Sequence, residues 1–239
     1  MENIDPKKIA ESFFMIHNPD GTFTRRLDIY PIVPPSITDL SSPSLSKDIP
    51  LNSDKSTWVR IYLPRSLSEK KKLPILIYVH GSGFVVASAA QPNFHDFCSY
   101  AGSSLPALVV SVEYHLAPEH RLPAAYEDVL DALNWVKEGK EKWVEEYGDL
   151  SRCVMMGDSA GGNIVDRVRY LGWRVRVVRN DGDPLYDRSV ELVKLLEKKG
   201  VNVKCMFVEG GKHGMFVGEP SKFKSKELLT FVEDLFNDQ

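Results

Sequence analysis

The 239-residue chain has only three cysteines, Cys98, Cys153 and Cys205, with wide spacing and no Cys-x-x-Cys pair. That excludes a disulfide framework and predicts free thiols packed as small core residues in a reducing, cytoplasmic setting. Nothing in the sequence suggests a metal site, and no cofactor is expected. An excess of charge of one sign is also missing. Thirty Lys and Arg face 33 Asp and Glu, a net charge of −3, so no field suited to nucleic acid or an anionic membrane is expected. The run Glu69-Lys70-Lys71-Lys72 is short and reads as a solvated loop. No apolar run approaches the roughly 18 residues of a membrane span. The segment Met1–Asp5 is acidic and lacks the apolar stretch of a secretory signal.

What is present is ordinary globular composition, 43% apolar and 26% charged. The length suits one domain, 1–239, divided into an N-terminal cap-like and irregular segment (1–56) and a core (57–239). Residues 9–16 are amphipathic and a turn follows at Asn18-Pro19-Asp20-Gly21. Residues 31–56, rich in Pro and Ser, read as an irregular surface connection. Residues 57–64 alternate and end in Pro64, which suits a strand near a sheet edge. The continuous apolar runs 73–79 and 107–112 suit strands covered on both faces. A helix is expected over 124–136, with 125, 129, 132, 133 and 136 on one face. Then come a helix over 160–171, a strand over 173–178, a helix over 189–199, a strand over 203–208 and a helix over 221–236. Strands alternating with helices predict an α/β fold with a mainly parallel sheet flanked by helices.

One pentapeptide gives this chain a chemistry. Gly157-Asp158-Ser159-Ala160-Gly161 follows the apolar run 153–156 and leads into a helix. Small residues on either side let a sharp strand-to-helix turn lift the Ser159 hydroxyl above the sheet. A serine hydroxyl needs a base to take its proton and donors to hold an oxyanion. The donor candidates are the backbone N–H groups of Ser82, Gly83 and Ala160, the first two in His80-Gly81-Ser82-Gly83-Phe84. His80 and Gly81 support that loop. The base candidate is His213, in a small-residue loop after strand 203–208. His17, His95, His115 and His120 lack such a loop, and His80 reads as a brace of the donor loop. The acid candidate is Asp183, with Asp181 and Asp187 as rivals in the same acidic turn. The order Ser159, Asp183, His213 is that of α/β-hydrolases. Glu119 and Arg121, in the proline-stiffened segment 113–125, read as structural ion-pairing groups.

These segments resemble plant carboxylesterases of the hormone-sensitive-lipase-like group. The resemblance rests on Asn18–Thr22, Val59–Pro64, the His80 loop, Tyr114–Ala125, Gly157–Ile164, Gly182–Arg188 and the His213 loop, which together span nearly the whole chain. It implies an α/β-hydrolase fold with Ser159 as nucleophile, His213 as base and Asp183, thirty residues before His213, as orienting acid. It also implies a serine carboxylesterase acting on small esters through an acyl-enzyme intermediate. A hydrolase-like ligand receptor, a dehydratase or lyase of the same superfamily, and an inactive shortened form remain alternatives. Oligomeric state is not implied.

Two departures stand out. The donor loop has Ser82 where the family usually has glycine. Ser159 and Asp183 are only 24 residues apart, whereas relatives carry a far longer stretch there. The junction near Ile164–Asp166 looks like an internal deletion that removes one central strand and much of the cap. Neighbouring strands lie about 4.8 Å apart, so either Asp183 is displaced or the sheet has an unfilled slot.

Overall fold

Leu73–Val79 is buried along its whole length, as an apolar strand covered on both faces must be. It lies inside the main sheet of the computed structural model, which describes residues 15–26, 31–38, 41–52, 54–67, 72–168, 175–218 and 226–237. The strands are β1 (Met15–His17), β2 (Phe23–Arg25), β3 (Ser44–Asn52), β4 (Thr57–Pro64), β5 (Leu73–Val79), β6 (Leu108–Glu113), β7 (Gly148–Gly157), β8 (Val175–Asn180) and β9 (Val203–Val208). The helices are α1 (Pro92–Ser104), α2 (Ala124–Glu138), α3 (Lys142–Tyr147), α4 (Ala160–Val168), α5 (Tyr186–Lys198), α6 (Met215–Gly218) and α7 (Lys226–Asn237).

Five strands form a mixed sheet in the order β3-β4-β6-β5-β7. β3, β4 and β6 pair antiparallel in sequence, whereas β5 runs parallel to both β6 and β7. The register aligns Val79 with Val112 on one side and with Gly157 on the other. Three chain segments therefore leave the sheet side by side at the carboxyl ends of their strands, where sites gather in open α/β sheets. Helices cover both faces. Val129, Leu133 and Val136 of α2 and Ile164 of α4 pack on one face. Phe94, Phe97 and Ala101 of α1, with Leu228, Val232 and Phe236 of α7, pack on the other.

The sheet is interrupted after β7. Strands β8 and β9 form a separate two-stranded parallel sheet, and among the described residues β7 and β8 do not pair. The main link is α7. Its apolar residues share a cluster with Val154 of β7, and Val178 of β8 and Met206 of β9 pack against that cluster. The Arg176 guanidinium of β8 lies over the Phe231 ring, 5.0 Å from its centre, and 3.9 Å from Asp234. Of the two outcomes expected after Ile164–Asp166, strand 173–178 closing up beside the elbow strand is not seen: among the described residues packing joins the two sheets, and no backbone ladder does.

Several local expectations change. Within 31–56 the structure has the nine-residue strand β3. Its buried Ser44 and Ser46 are small enough to lie under α1, and Pro50 is tolerated on an edge strand. The edge is therefore β3, and β4 lies one strand inside it. Helix α1 was not expected. Pro92 at its first turn and the 3- and 4-residue spacing of Phe94, Phe97, Cys98 and Ala101 are the signal for it. The turn at Asn18–Gly21 joins β1 and β2 as a hairpin. Residues 9–14 of the amphipathic segment, 169–174 and 221–225 lie outside the described residues.

A buried polar cluster fixes segment 31–38 to the sheet. The Arg60 side chain is almost fully buried and donates to both Asp48 oxygens and to the Val33 carbonyl. A buried guanidinium costs several kcal/mol unless it is paired in this way (about 3–5 kcal/mol if a partner is removed).

Candidate active site

The turn after β7 is tight because its glycines leave no room for anything larger. A Cβ on Gly157 would lie 2.4 Å from the Gly161 carbonyl carbon. One on Gly161 would lie 2.0 Å from the Val79 carbonyl oxygen. Ser159 is therefore forced into the left-handed region, φ 50°, at about 1–2 kcal/mol of local strain. The Gly161 N–H donates to the Asp158 carbonyl (2.8 Å) and the Asn163 N–H to that of Ser159 (3.2 Å), which starts α4 directly behind the serine. The Tyr126 hydroxyl of α2 donates to Asn163 Oδ1 at 3.1 Å and ties the two helices together.

Beside this turn, residues 80–87 follow β5. Ser82 (φ 76°), Gly83 (68°), Phe84 (68°) and Ala87 (82°) all adopt left-handed backbone. Ser82 does so without the freedom of the glycine that the family usually has there. Among the described residues, the amides of Ser82, Gly83 and Ala160 donate to no backbone carbonyl of the loops and turns.

Asp158, a free position in the pentapeptide pattern, joins the two turns. Tyr78 donates to its Oδ1, and a Cβ on Gly81 would lie 2.3 Å from its Oδ2. Burial raises its pKa, opposed by the Tyr78 and Gly81 hydrogen bonds and by the charge of His213.

His80 lies beneath the 80–87 loop, fully buried and stacked on Tyr114 with ring centres 4.3 Å apart. Its Nδ1 is 3.2 Å from the Gly81 carbonyl, which makes Nδ1 the protonated nitrogen. Nε2 is buried without a hydrogen-bond partner among the described residues, 3.8 Å from Glu113 Oε2. Burial lowers the imidazole pKa to about 4 and raises the Glu113 carboxyl to about 7. Glu113 accepts from the Ala89 N–H at 2.6 Å, and the Tyr114 hydroxyl reaches the His80 and Gly81 carbonyls (2.9 and 3.1 Å). Tyr78 lies in the apolar run 73–79 and Glu113 and Tyr114 open the segment 113–125, but no motif in the sequence gives any of them a role, because their contacts join residues far apart in sequence.

The three acidic residues of the 181–187 turn separate by geometry. Asp183 places both oxygens 2.9 Å from His213 Nδ1 and accepts the Leu185 N–H. Asp181 accepts the Gly210 N–H at 2.6 Å, and Asp187 lies in the first turn of α5. The two loops are in close contact, since a Cβ on Gly182 would lie 2.6 Å from the Gly211 carbonyl oxygen. Asp183 and His213 are thus brought together at the ends of β8 and β9. Among the described residues no hydrogen bond joins His213 to Ser159. The other described histidine side chains have partners elsewhere: His95 lies in the Arg60 cluster, and His115 pairs with the buried Asp128 at 2.9 Å and packs at a tilt against His120.

Among the described residues, no three His, Cys, Asp or Glu side chains gather where they could hold a metal. No described helix is long and apolar enough to cross a membrane. A cavity of about 390 Å³, lined by Lys72, Glu138, Gly148 and neighbours, opens at the opposite end of β5 and β7 from Ser159 and has none of this chemistry.

Residues 76–172 match the family model described as an alpha/beta hydrolase fold. Carboxylesterase 20 of Arabidopsis thaliana is 31% identical over 313 aligned positions, covering 92% of this chain and 95% of the relative. The chain belongs to the plant carboxylesterases. The 3-O-acetylpapaveroxine carboxylesterase CXE1 of Papaver somniferum is 35% identical over 302 positions, covering 88% of this chain and 92% of the relative. Among solved structures, one of two fungal esterases from Rhizomucor miehei superposes with a TM-score of 0.70 over 100% of this chain and 93% of its own length. At 18% identity that likeness shows the fold. The first alignment also bears on the interrupted sheet. Since 92% of this carboxylesterase is about 220 residues, some ninety of the 313 aligned positions have no residue in it. The missing ladder between β7 and β8 is what an internal deletion would leave.

Proposed function

We propose that this carboxylesterase hydrolyses small uncharged carboxylic esters through an acyl-enzyme on Ser159. The observation that carries the reading is the Asp183–His213 pair, 2.9 Å apart, on loops that follow the elbow in α/β-hydrolase chain order. Asp183 accepts the Nδ1 proton, so Nε2 is free to act as base and the imidazolium is stabilised. Ser159 Oγ attacks the ester carbonyl carbon and its proton passes to His213 Nε2. The amides of Ser82, Gly83 and Ala160 receive the oxyanion. Collapse expels the alcohol, which takes the proton back from Nε2. Water then attacks the acyl-serine by the same route, releasing the acid and regenerating Ser159. Productive chemistry requires Nε2 to close onto Oγ, and such bonds are often long before substrate binds. The free thiols of Cys98, Cys153 and Cys205 support a cytoplasmic setting.

The test is hydrolysis of a short-chain p-nitrophenyl ester by the purified chain and by Ser159→Ala. Loss of turnover in the variant supports the reading, and equal rates in both would overturn it.

A further inference from the structure

The 80–87 loop holds three non-glycine residues, Ser82, Phe84 and Ala87, in left-handed backbone. Each costs about 1–2 kcal/mol, and such a shape persists only where its surroundings impose it. Two contacts hold its carbonyl side. The Ala117 N–H donates to the Phe84 carbonyl at 2.9 Å, and Arg25 Nε donates to the Val85 carbonyl at 2.8 Å.

Arg25 is the last residue of β2, and its side chain reaches residues at least 60 positions away in sequence. Its Nη2 donates to the Ala117 carbonyl at 2.8 Å. Its Nη1 and Nη2 also meet Glu119 Oε1 and Oε2 at 2.8 and 2.7 Å, a bidentate pair. That pair fixes the plane of the guanidinium, so Nε is aimed at Val85 without further rotamer freedom. One side chain, 24% exposed, therefore ties the β1–β2 hairpin, the 80–87 loop and the 117–119 segment together. A lysine could supply the charge but not the three directed donors.

We propose that Arg25 is a positioning residue for the oxyanion-binding loop. Through Val85 it holds the strained turn in the shape that points the Ser82 and Gly83 amides toward Ser159, and it couples the N-terminal hairpin to that turn. Glu119 orients Arg25. The catalytic half of this inference rests on the esterase reading; the structural half does not.

The experiment compares Arg25→Ala, Arg25→Lys and Glu119→Gln with the native chain by two readouts. The first is amide hydrogen exchange across residues 82–89, which needs no activity. Faster exchange there in Arg25→Ala and Arg25→Lys, with β5 unchanged and a smaller effect in Glu119→Gln, is expected. Unchanged exchange at 82–89 overturns the proposal whatever the esterase result. The second is kinetic, per titrated active site. Arg25→Ala should lower kcat by about tenfold, the scale of a weakened oxyanion donor, with KM nearly constant. A trifluoromethyl ketone inhibitor should weaken in parallel, and guanidinium added to Arg25→Ala should restore part of kcat. Loosened exchange with native kcat and native inhibitor affinity would overturn the positioning role. If the native chain shows no Ser159-dependent hydrolysis, the esterase reading fails, and hydrogen exchange alone decides whether Arg25 holds the loop.

Discussion

His213 Nδ1 lies 2.9 Å from both oxygens of Asp183, on loops of a two-stranded sheet that, among the described residues, has no backbone ladder to the strand leading into Ser159. The proposed acid and base are assembled as one unit and the proposed nucleophile stands on another. Helix α7 and the apolar cluster around Val154, Val178 and Met206 hold the two together. The interval between them is set by side-chain packing, which yields more readily than a hydrogen-bonded ladder.

The first prediction concerns that acid–base unit. Asp183→Asn should leave the fold intact and reduce kcat by a factor on the order of 10²–10⁴ by losing the required His213 tautomer. Asp181→Asn only weakens the anchor on the Gly210 amide by removing its charge and should cost much less. Steady-state kinetics of both variants check this; a larger loss in Asp181→Asn would reassign the acid.

Ser82→Gly is expected to stabilise the protein. It relieves an L-residue at φ 76°, worth about 1 kcal/mol, or roughly 2–4 °C in Tm for a chain of this size. Differential scanning calorimetry measures it directly. A lower Tm would show that the Ser82 side chain makes contacts worth more than the strain.

Gly161→Ala is expected to be the most damaging single change near Ser159. The new Cβ would meet the Val79 carbonyl oxygen at 2.0 Å and the His80 carbonyl oxygen at 2.6 Å. The rigid backbone of β5 cannot move aside as a flexible side chain could. Loss of activity with poor expression or a broad melt is expected, and native behaviour would contradict the packing described.

The buried pair beneath the loop predicts a particular pH dependence of stability. The Glu113 carboxyl is raised from 4.5 to about 7. Its contribution is complete below pH 4.5 and lost as pH rises through 7. The His80 imidazole is lowered from 6.5 to about 4. Its contribution is complete above pH 6.5 and lost as pH falls through 4. Each is worth about 3 kcal/mol across its window; the windows nearly coincide and their slopes are opposite, so the two offset each other and the native profile should be nearly flat between pH 4 and 7. Glu113→Gln should unmask the His80 slope, so that the variant's stability falls as pH drops from 6.5 to 4 while that of the native chain hardly changes. Urea unfolding midpoints across that range test it, and identical profiles for the two proteins would contradict it.

Much of the frame was legible in the sequence because burial on both faces writes continuous apolar runs. Strand β9 falls on its expected bounds, Val203–Val208, and β5 on 73–79. The buried face of α2 is Ala125, Val129, Ala132, Leu133 and Val136, its polar Asp128 aside. Strand β3 was not legible, because its inward positions are Ser44 and Ser46, polar residues buried for their small size. Helix α1 was obscured by the glycine- and alanine-rich approach to it. In the candidate site, glycine spacing located the turns and separated Ser159 from an ordinary serine. The supports did not show. Asp158 occupies a free motif position, and Arg25 acts on Val85 sixty residues away. The break in pairing between β7 and β8 was readable only as a spacing, 24 residues from Ser159 to Asp183.

The central claim is that Ser159 is the nucleophile despite the interrupted sheet. A fluorophosphonate ester, incubated with the native chain and followed by mass spectrometry of its peptides, tests it most directly. The account predicts one adduct per chain, on Ser159, formed in step with loss of esterase activity and greatly slowed in His213→Ala. Absence of an adduct on Ser159 while the chain still hydrolyses esters would contradict it.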